Sequence, residues 1–446
     1  MTATSLVTPE AAEDSKGSAK VLSKVVVVHG GARDSYQLAL ALSETGMLDT
    51  LVTDLFWPEE RAWARWINLK LPHVRQMVMK RSATGLPSYE VTQHIGQGLR
   101  GLLLDKLPRI PLSFRRRSIR AADAALGRAA GKRARETGSG LVTYSYFGYD
   151  AMREYGRPAM LFQVHPHPAT IRKILLKELE DHPDCSASLQ QEWELALPDR
   201  EFQHLVDEPA MASQFLVAST FTRDSLVEHG ISSQAITVIP YGVDLERFCP
   251  AATPAAQRPA VVPEDSRLHL LFVGRINQRK GIKYLLEALR LLDTDQVHLT
   301  ICGRVVDDLE LFKPFGTQID IRPSVSAEDL VKAYQQADLF VFPSVAEGFG
   351  QVLLEALACG LPLLSTTHTA APDLIEDGEQ GFIIEPRRPD LLAQRITWAM
   401  THRAELAEMR SKARQRAEQF TWQRFRQSAA AAVGNYLATR SLEPAS

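Results

Sequence analysis

The chain has 446 residues, 45% of them apolar, and a formal net charge of −2 at neutral pH. That length argues for two domains rather than one core, and the near-zero charge excludes a global nucleic-acid field. Four scattered cysteines, Cys185, Cys249, Cys302 and Cys359, show no CxxC or zinc spacing, which suits a reducing cytoplasm, and no apolar run nears the ~20 residues of a membrane span.

Residues 1–22 are small and polar and read as a disordered tail without an apolar leader core. KVVVVHGG follows as the first strand, its unbroken apolar run marking a central parallel position. SYQLALALSETG then reads as a helix and LDTLVTDLF as a strand. From Trp57 to Gly138 the chain is arginine-rich and mostly helical in pattern. LVTYSY, PAMLFQVH, FLVAST and ITVIPYG read as further strands, with helices through KILLKELE and TRDSLVEHG. Residues 23–245 thus form a first domain. Residues 246–266, with four prolines in CPAATPAAQRPAVVPEDS, read as a linker.

The alternation restarts over residues 267–420. Strands LHLLFVGR, VHLTICG, DLFVFPS, LPLLST and GFIIEP alternate with helices through GIKYLLEALRLL, SAEDLVKAYQQA and the stretch after Gln351. Residues 421–446 read as a helix returning to the first domain. Strand–helix alternation of this kind predicts an α/β fold with two doubly wound parallel sheets. Ligands of such sheets bind at the carboxyl ends of the strands, so the cleft between the domains is the expected site.

Two motifs carry chemistry. In FVFPSVAEGFGQVLLEALACG, Glu347 and Glu355 are separated by seven residues and bracket Gly348, Phe349 and Gly350. Strand, glycine turn and helix in that order leave backbone N–H groups free for an anion, while the two carboxylates can accept from hydroxyls. A ligand anionic in one part and hydroxylated elsewhere, such as a nucleotide sugar, suits it. In GRINQRKG, Arg275 and Lys280 flank a turn and can neutralise a diphosphate; read alone, the turn is as well explained as a solvated basic loop.

With those residues together, the chain resembles the retaining glycosyltransferases of the GT-B fold, family 4. GRINQRKG, AYQQADLFVFPS, EGFGQVLLEALACG and DLIEDGEQGF carry the resemblance in the C-terminal half; HGG, ASTFTRDSLVEHG and VIPYGVDLERF carry it in the N-terminal half. The resemblance implies two Rossmann-like domains facing across a cleft. It implies that Glu355 binds the ribose, and that Glu347 holds hydroxyls of the donor sugar. The amides around Phe349 and Gly350 would bind the diphosphate with Arg275 and Lys280. Gly30 and Gly31 would let the first loop approach closely, and His165 would face the sugar. A nucleotide-sugar donor and a sugar, lipid-linked sugar or small-molecule acceptor follow as partners, with no nucleic acid. No metal or other cofactor is implied: the His165–His167 pair lacks a third ligand, and Asp293-Thr294-Asp295 falls in a turn. A sugar phosphorylase, a nucleotide-sugar epimerase or a degenerate binding module would use the same architecture. The chain departs from the family at Pro323-Ser324 and at Ala370-Ala371-Pro372-Asp373.

One stretch stands apart. GLRGLLLDKLPRIPLSFRRRSIR sets Arg115, Arg116, Arg117 and Arg120 beside Leu102, Leu103, Leu104, Leu107 and Phe114. Such a basic amphipathic segment reads either as peripheral contact with the anionic inner membrane surface or as a packed helix with a solvated face.

Overall fold

The computed structural model describes residues 24–70, 81–96, 112–251 and 267–440. Its first sheet contains β1 (Val25–Val28), β2 (Leu48–Thr53), β3 (Val91–Gln93), β4 (Gly140–Tyr144), β5 (Met160–Gln163), β6 (Gln214–Val217) and β7 (Ile236–Val238). Its second contains β8 (Leu268–Val273), β9 (Val297–Cys302), β10 (Ile319–Arg322), β11 (Leu339–Phe342), β12 (Leu363–Thr366) and β13 (Gly381–Ile384). The strand orders are 3-2-1-4-5-6-7 and 10-9-8-11-12-13, and the pairs are parallel. The four valines of β1 are fully buried, as a strand covered on both faces requires.

Each order reverses beside its first strand, between β1 and β4 and between β8 and β11. Chains leaving those neighbours part to opposite faces and open a crevice at the carboxyl ends. HGG leaves β1, GRINQRKG leaves β8 and the Glu347–Gly350 turn leaves β11. The second sheet thus brings GRINQRKG and the Glu347–Gly350 turn together, and HGG holds the corresponding place in the first. β3 and β10 were not expected: VTQ and IDIR lie at sheet edges, half-exposed, and short edge strands lack an apolar run.

The last helix, Trp422–Arg440, lies on the first sheet. Phe425, Ala429, Val433 and Tyr436 are buried in that core, Tyr436 donates to the Leu141 carbonyl at 3.3 Å, and Arg426 pairs with Glu44 at 3.0 Å. The chain thus crosses from the second domain back to the first. Residues 252–266 of the linker lie outside the described residues.

The basic amphipathic stretch divides. Leu102, Leu103, Leu104 and Leu107 lie outside the described residues, while the arginines belong to the helix Leu112–Thr137. Arg116 donates to the carbonyls of Gln190 and Gln191. Arg120 is buried and donates to the Tyr146 carbonyl at 2.6 Å. Those two guanidiniums are engaged by the protein's own backbone, which favours the packed-helix reading. Among the described residues no helix is long and apolar enough to cross a membrane.

Tyr436 is 1% exposed, and deleting a large buried ring costs about 3–5 kcal/mol. Tyr436→Ala should lower the unfolding free energy by that much in denaturant titration. A loss below about 1 kcal/mol would show that the helix is peripheral to the first domain.

Candidate functional site

The turn after β8 is built to lie on the loop after β11. Gly281 adopts φ 73°, and a Cβ there would sit 2.0 Å from the Pro343 carbonyl oxygen. Only glycine permits both. Val345 N–H and Ser344 Oγ then donate to the Arg279 carbonyl at 3.0 and 3.1 Å, fusing the two loops. Lys280 is thereby set against the Glu347 carboxylate, its Nζ 5.3 Å from the Phe342 ring centre. Burial, with the guanidiniums of Arg279 and Arg275 beside it, pushes the Lys280 ammonium well below its ordinary pKa. An anion entering here would favour the charged form. Arg275 is more open, its side chain 56% exposed, with Glu192 3.8 Å away.

The Glu347–Gly350 turn docks on the first domain. A Cβ on Gly348 would fall 2.0 Å from the Val164 carbonyl oxygen, so the backbones of the two domains touch. Ser219 Oγ and Thr222 Oγ1 both donate to the Gly348 carbonyl, at 2.5 and 3.2 Å. Phe349 is buried with its ring edge-on to Tyr241. Gly350 begins the helix Gln351–Ala358 without a side-chain cap, which leaves the first amides open to an anion. Just over one turn into that helix, Glu355 accepts from the Tyr334 hydroxyl at 2.9 Å; burial raises its pKa.

The opposite wall comes from the loops after β1, β4 and β5. Gly31 N–H donates to Asp54 at 2.9 Å, and Asp54 is paired with Arg81 at 2.8 Å. Gly30 lies against the Phe147 ring. Next come Arg33 and then Asp34, Ser35 and Tyr36, all at positive φ (41°, 52° and 62°). Left-handed backbone costs about 1–2 kcal/mol per non-glycine residue. The turn is held by Asp34, which accepts from Leu38 N–H and the Tyr144 hydroxyl at 3.0 and 2.8 Å.

His165 follows β5 and adjoins Gly348. Its Nδ1 is buried with no hydrogen-bond partner. Burial, then Arg279, Arg33, Lys280 and Arg275, push its pKa well down, so the ring is neutral and ringed by cations from both domains. His167 does not share this role. Its ring nitrogen caps the helix Pro168–Asp181 by accepting from Ala169 N–H, and its ring stacks on His229 at 3.8 Å. Asp293 closes a helix in a left-handed turn. Among the described residues no group of three or more His, Cys, Asp or Glu could hold a metal ion.

Residues that no motif singled out join the two walls. Arg279 is 7% exposed. It donates to Glu192 at 2.7 Å and to the Ala346 carbonyl at 3.0 Å. Glu192 also accepts from Asn277 at 2.9 Å; burial would raise its pKa, but Arg279 and then Arg275 outweigh burial and hold it low. Glu178, fully buried, takes Gln278 at 2.7 Å, Tyr284 at 3.0 Å and Arg387 at 2.5 Å. Neither glutamate stands in a pattern, and Arg279 between two cations reads as solvated, so only the fold reveals them. Asp373, in the loop where the sequence departs from the family, accepts from Thr220 N–H and Oγ1 at 2.9 and 3.2 Å and ties the domains there.

The comparisons with known proteins fit this geometry. Residues 255–419 match the family model described as Glycosyl transferases group 1. A D-inositol 3-phosphate glycosyltransferase of Geodermatophilus obscurus is 35% identical over 47% of this chain and 50% of its own length. One from Paenarthrobacter aurescens is 32% identical over 50% and 56%. The chain spans about half the length of the curated relatives it matches. Among solved structures, sucrose-phosphate synthase from Thermosynechococcus elongatus aligns over 94% of this chain and 99% of its own, with TM-score 0.58 and 19% identity. Anabaena HepE in complex with UDP-glucose aligns over 92% and 99%, with TM-score 0.57 and 16% identity. The fold is GT-B.

Breaking a buried ion pair costs about 3–5 kcal/mol, whereas replacing both partners with apolar groups is often near neutral. Arg279→Met and Glu192→Leu should each destabilise by that amount in chemical denaturation, and the double variant by much less than the sum. Additive losses would show that the two side chains act independently.

Proposed function

We propose that this chain transfers a glycosyl group from a nucleoside-diphosphate sugar to an acceptor hydroxyl, with retention of anomeric configuration, as a family 4 glycosyltransferase. One observation carries the reading. Arg275 and Lys280 after β8, the Gly348–Gly350 turn after β11 and His165 after β5 converge at one point of the cleft. Cations, open amides and a neutral imidazole meet where a sugar diphosphate would lie. The group 1 family match over the C-terminal half and the UDP-glucose held by the HepE structure support a nucleotide-sugar donor.

Each residue then has a task. Glu355 takes the ribose hydroxyls. Arg275, Lys280 and the amides at Phe349 and Gly350 bind the diphosphate and stabilise the charge that grows as it departs. Lys280 now rests on Glu347; a diphosphate offers it a stronger counter-charge and frees Glu347 to orient the sugar hydroxyls. The neutral His165 hydrogen-bonds the sugar through its unpartnered nitrogen. Gly30 and Gly31 keep the first loop close to the phosphates. Attack comes from the face the diphosphate leaves, and the departing phosphate oxygen takes the acceptor's proton. Side chains meet the leaving-group charge throughout, so no metal is invoked. The acceptor is a sugar, a lipid-linked sugar or another hydroxyl-bearing molecule, and the setting is the cytoplasm, where four free thiols are at home.

Assays with a set of nucleotide sugars and acceptors test this. Arg275→Ala and Lys280→Ala should each lower turnover by roughly 10²-fold, the scale of one lost preorganised charge contact. Near-normal turnover in both would contradict the diphosphate assignment. Glu355→Gln should weaken binding of the free nucleoside diphosphate in calorimetry. Glu347→Gln should spare that binding and depress transfer; the reverse pattern would exchange the two roles.

A further inference from the structure

The segment ASTFTRDSLVEHG belongs to the first domain and grips the second. Ser219 caps the helix Thr220–Glu228, its Oγ accepting from Thr222 N–H at 3.2 Å. That bond fixes the oxygen and leaves its one hydrogen for the Gly348 carbonyl at 2.5 Å, nearer than Thr222 Oγ1 at 3.1 Å. Thr222 Oγ1, on the same helical turn, donates to the same carbonyl at 3.2 Å. Both residues are fully buried. Between them, Thr220 N–H and Oγ1 donate to Asp373 at 2.9 and 3.2 Å. The start of one helix therefore holds a carbonyl and a carboxylate of the other domain, the sign of charge that a helix N-terminus favours.

The turn that this helix holds is pinned within its own domain as well. Glu347 N–H donates to the His368 carbonyl at 3.0 Å, the Phe349 carbonyl accepts from Ala370 N–H at 3.0 Å, and the Gly350 carbonyl accepts from Leu353 N–H at 2.9 Å. The Phe349 N–H is different. Phe349 is 3% exposed, and among the described residues its N–H makes no hydrogen bond. A buried N–H without an acceptor is rare, and this one is a donor left for a ligand.

Its direction is set from behind. The Gly348–Phe349 peptide is trans and planar, so its N–H points away from its C=O. Holding the carbonyl on the helix Thr220–Glu228 turns the N–H away from that helix. A carbonyl that accepts two hydrogen bonds also polarises the amide it belongs to, which makes the N–H a stronger donor.

We propose that Ser219 and Thr222 are positioning residues for the donor: by holding the Gly348 carbonyl they aim and polarise the Phe349 N–H that meets the diphosphate. Hydroxyls of one domain thus complete the anion site of the other. An amide already aimed needs no reorientation when the charge arrives. The inference rests on the assignment of that amide to the diphosphate in the proposed glycosyl transfer.

Calorimetry on the intact chain tests it, with UDP and uridine titrated separately so that their affinity ratio isolates what the diphosphate contributes. Where GDP or ADP binds in place of UDP, that nucleotide and its nucleoside serve as the pair. Ser219→Ala combined with Thr222→Val should lower the ratio roughly tenfold, the scale of one weakened hydrogen bond to a charged group, while nucleoside affinity stays at the wild-type value. Each single variant should lower it by about threefold, which keeps the test if the double variant does not fold. Thr222→Ser retains the hydroxyl and should retain the ratio. Asp373→Asn weakens the adjoining tie between the domains without touching Gly348, and should retain it too. An unchanged ratio, whether from no loss or from equal loss on nucleotide and nucleoside, or an equal fall in Asp373→Asn, would overturn the positioning role. A wild-type chain that binds nucleotide, with variants that bind it equally well, would overturn this inference alone. A wild-type chain that binds none of UDP, GDP and ADP would overturn the donor reading and this inference with it.

Discussion

The Gly348 carbonyl accepts hydrogen bonds from Ser219 and Thr222 while its α-carbon presses on the Val164 backbone. Here the second domain meets the first backbone to backbone, alongside the side-chain contacts of Glu192, Glu178 and Asp373. A side chain at 348 would force the backbones apart. Separation there would carry His165 away from Lys280 and Glu347, and open the start of the helix Gln351–Ala358 to solvent. The close approach lets cations from two sheets act on one imidazole.

Two buried carboxylates of the first domain, Glu192 and Glu178, reach into the turn after β8 and fix the register of this contact. Their partners are Arg279 and Asn277 for one, Gln278, Tyr284 and Arg387 for the other. Desolvation offsets much of the attraction in such pairs, so they specify an arrangement more than they stabilise it. The same turn bears both the residues that bind across the domains, Asn277, Gln278 and Arg279, and the two proposed to meet the diphosphate, Arg275 and Lys280.

Much of the fold was legible because the interior strands are apolar runs and the turns between them carry glycine. VVVV, LLFV and LFVF mark strands buried on both faces, and Gly281 and Gly348 mark places where backbone must meet backbone. The edge strands Val91–Gln93 and Ile319–Arg322 were not legible, because half-exposed polar strands have no periodicity to detect. At the site, Glu347, Glu355, Arg275 and Lys280 stood out through spacing alone. Glu192, Glu178 and Arg279 did not, since their contacts come from burial and from packing between the domains that a linear pattern does not carry. Arg116 and Arg120 show the converse: a basic run that suggests a charged surface is spent largely on backbone carbonyls of the chain itself.

A structure of the chain with UDP bound tests the central claim most directly. The diphosphate should lie between Arg275, Lys280 and the amides of Phe349 and Gly350, with the ribose on Glu355, Glu347 released from Lys280 and Gly348 still against Val164. A nucleotide bound elsewhere, or bound there with the Lys280–Glu347 pair intact and the domains parted at Gly348, would contradict the account.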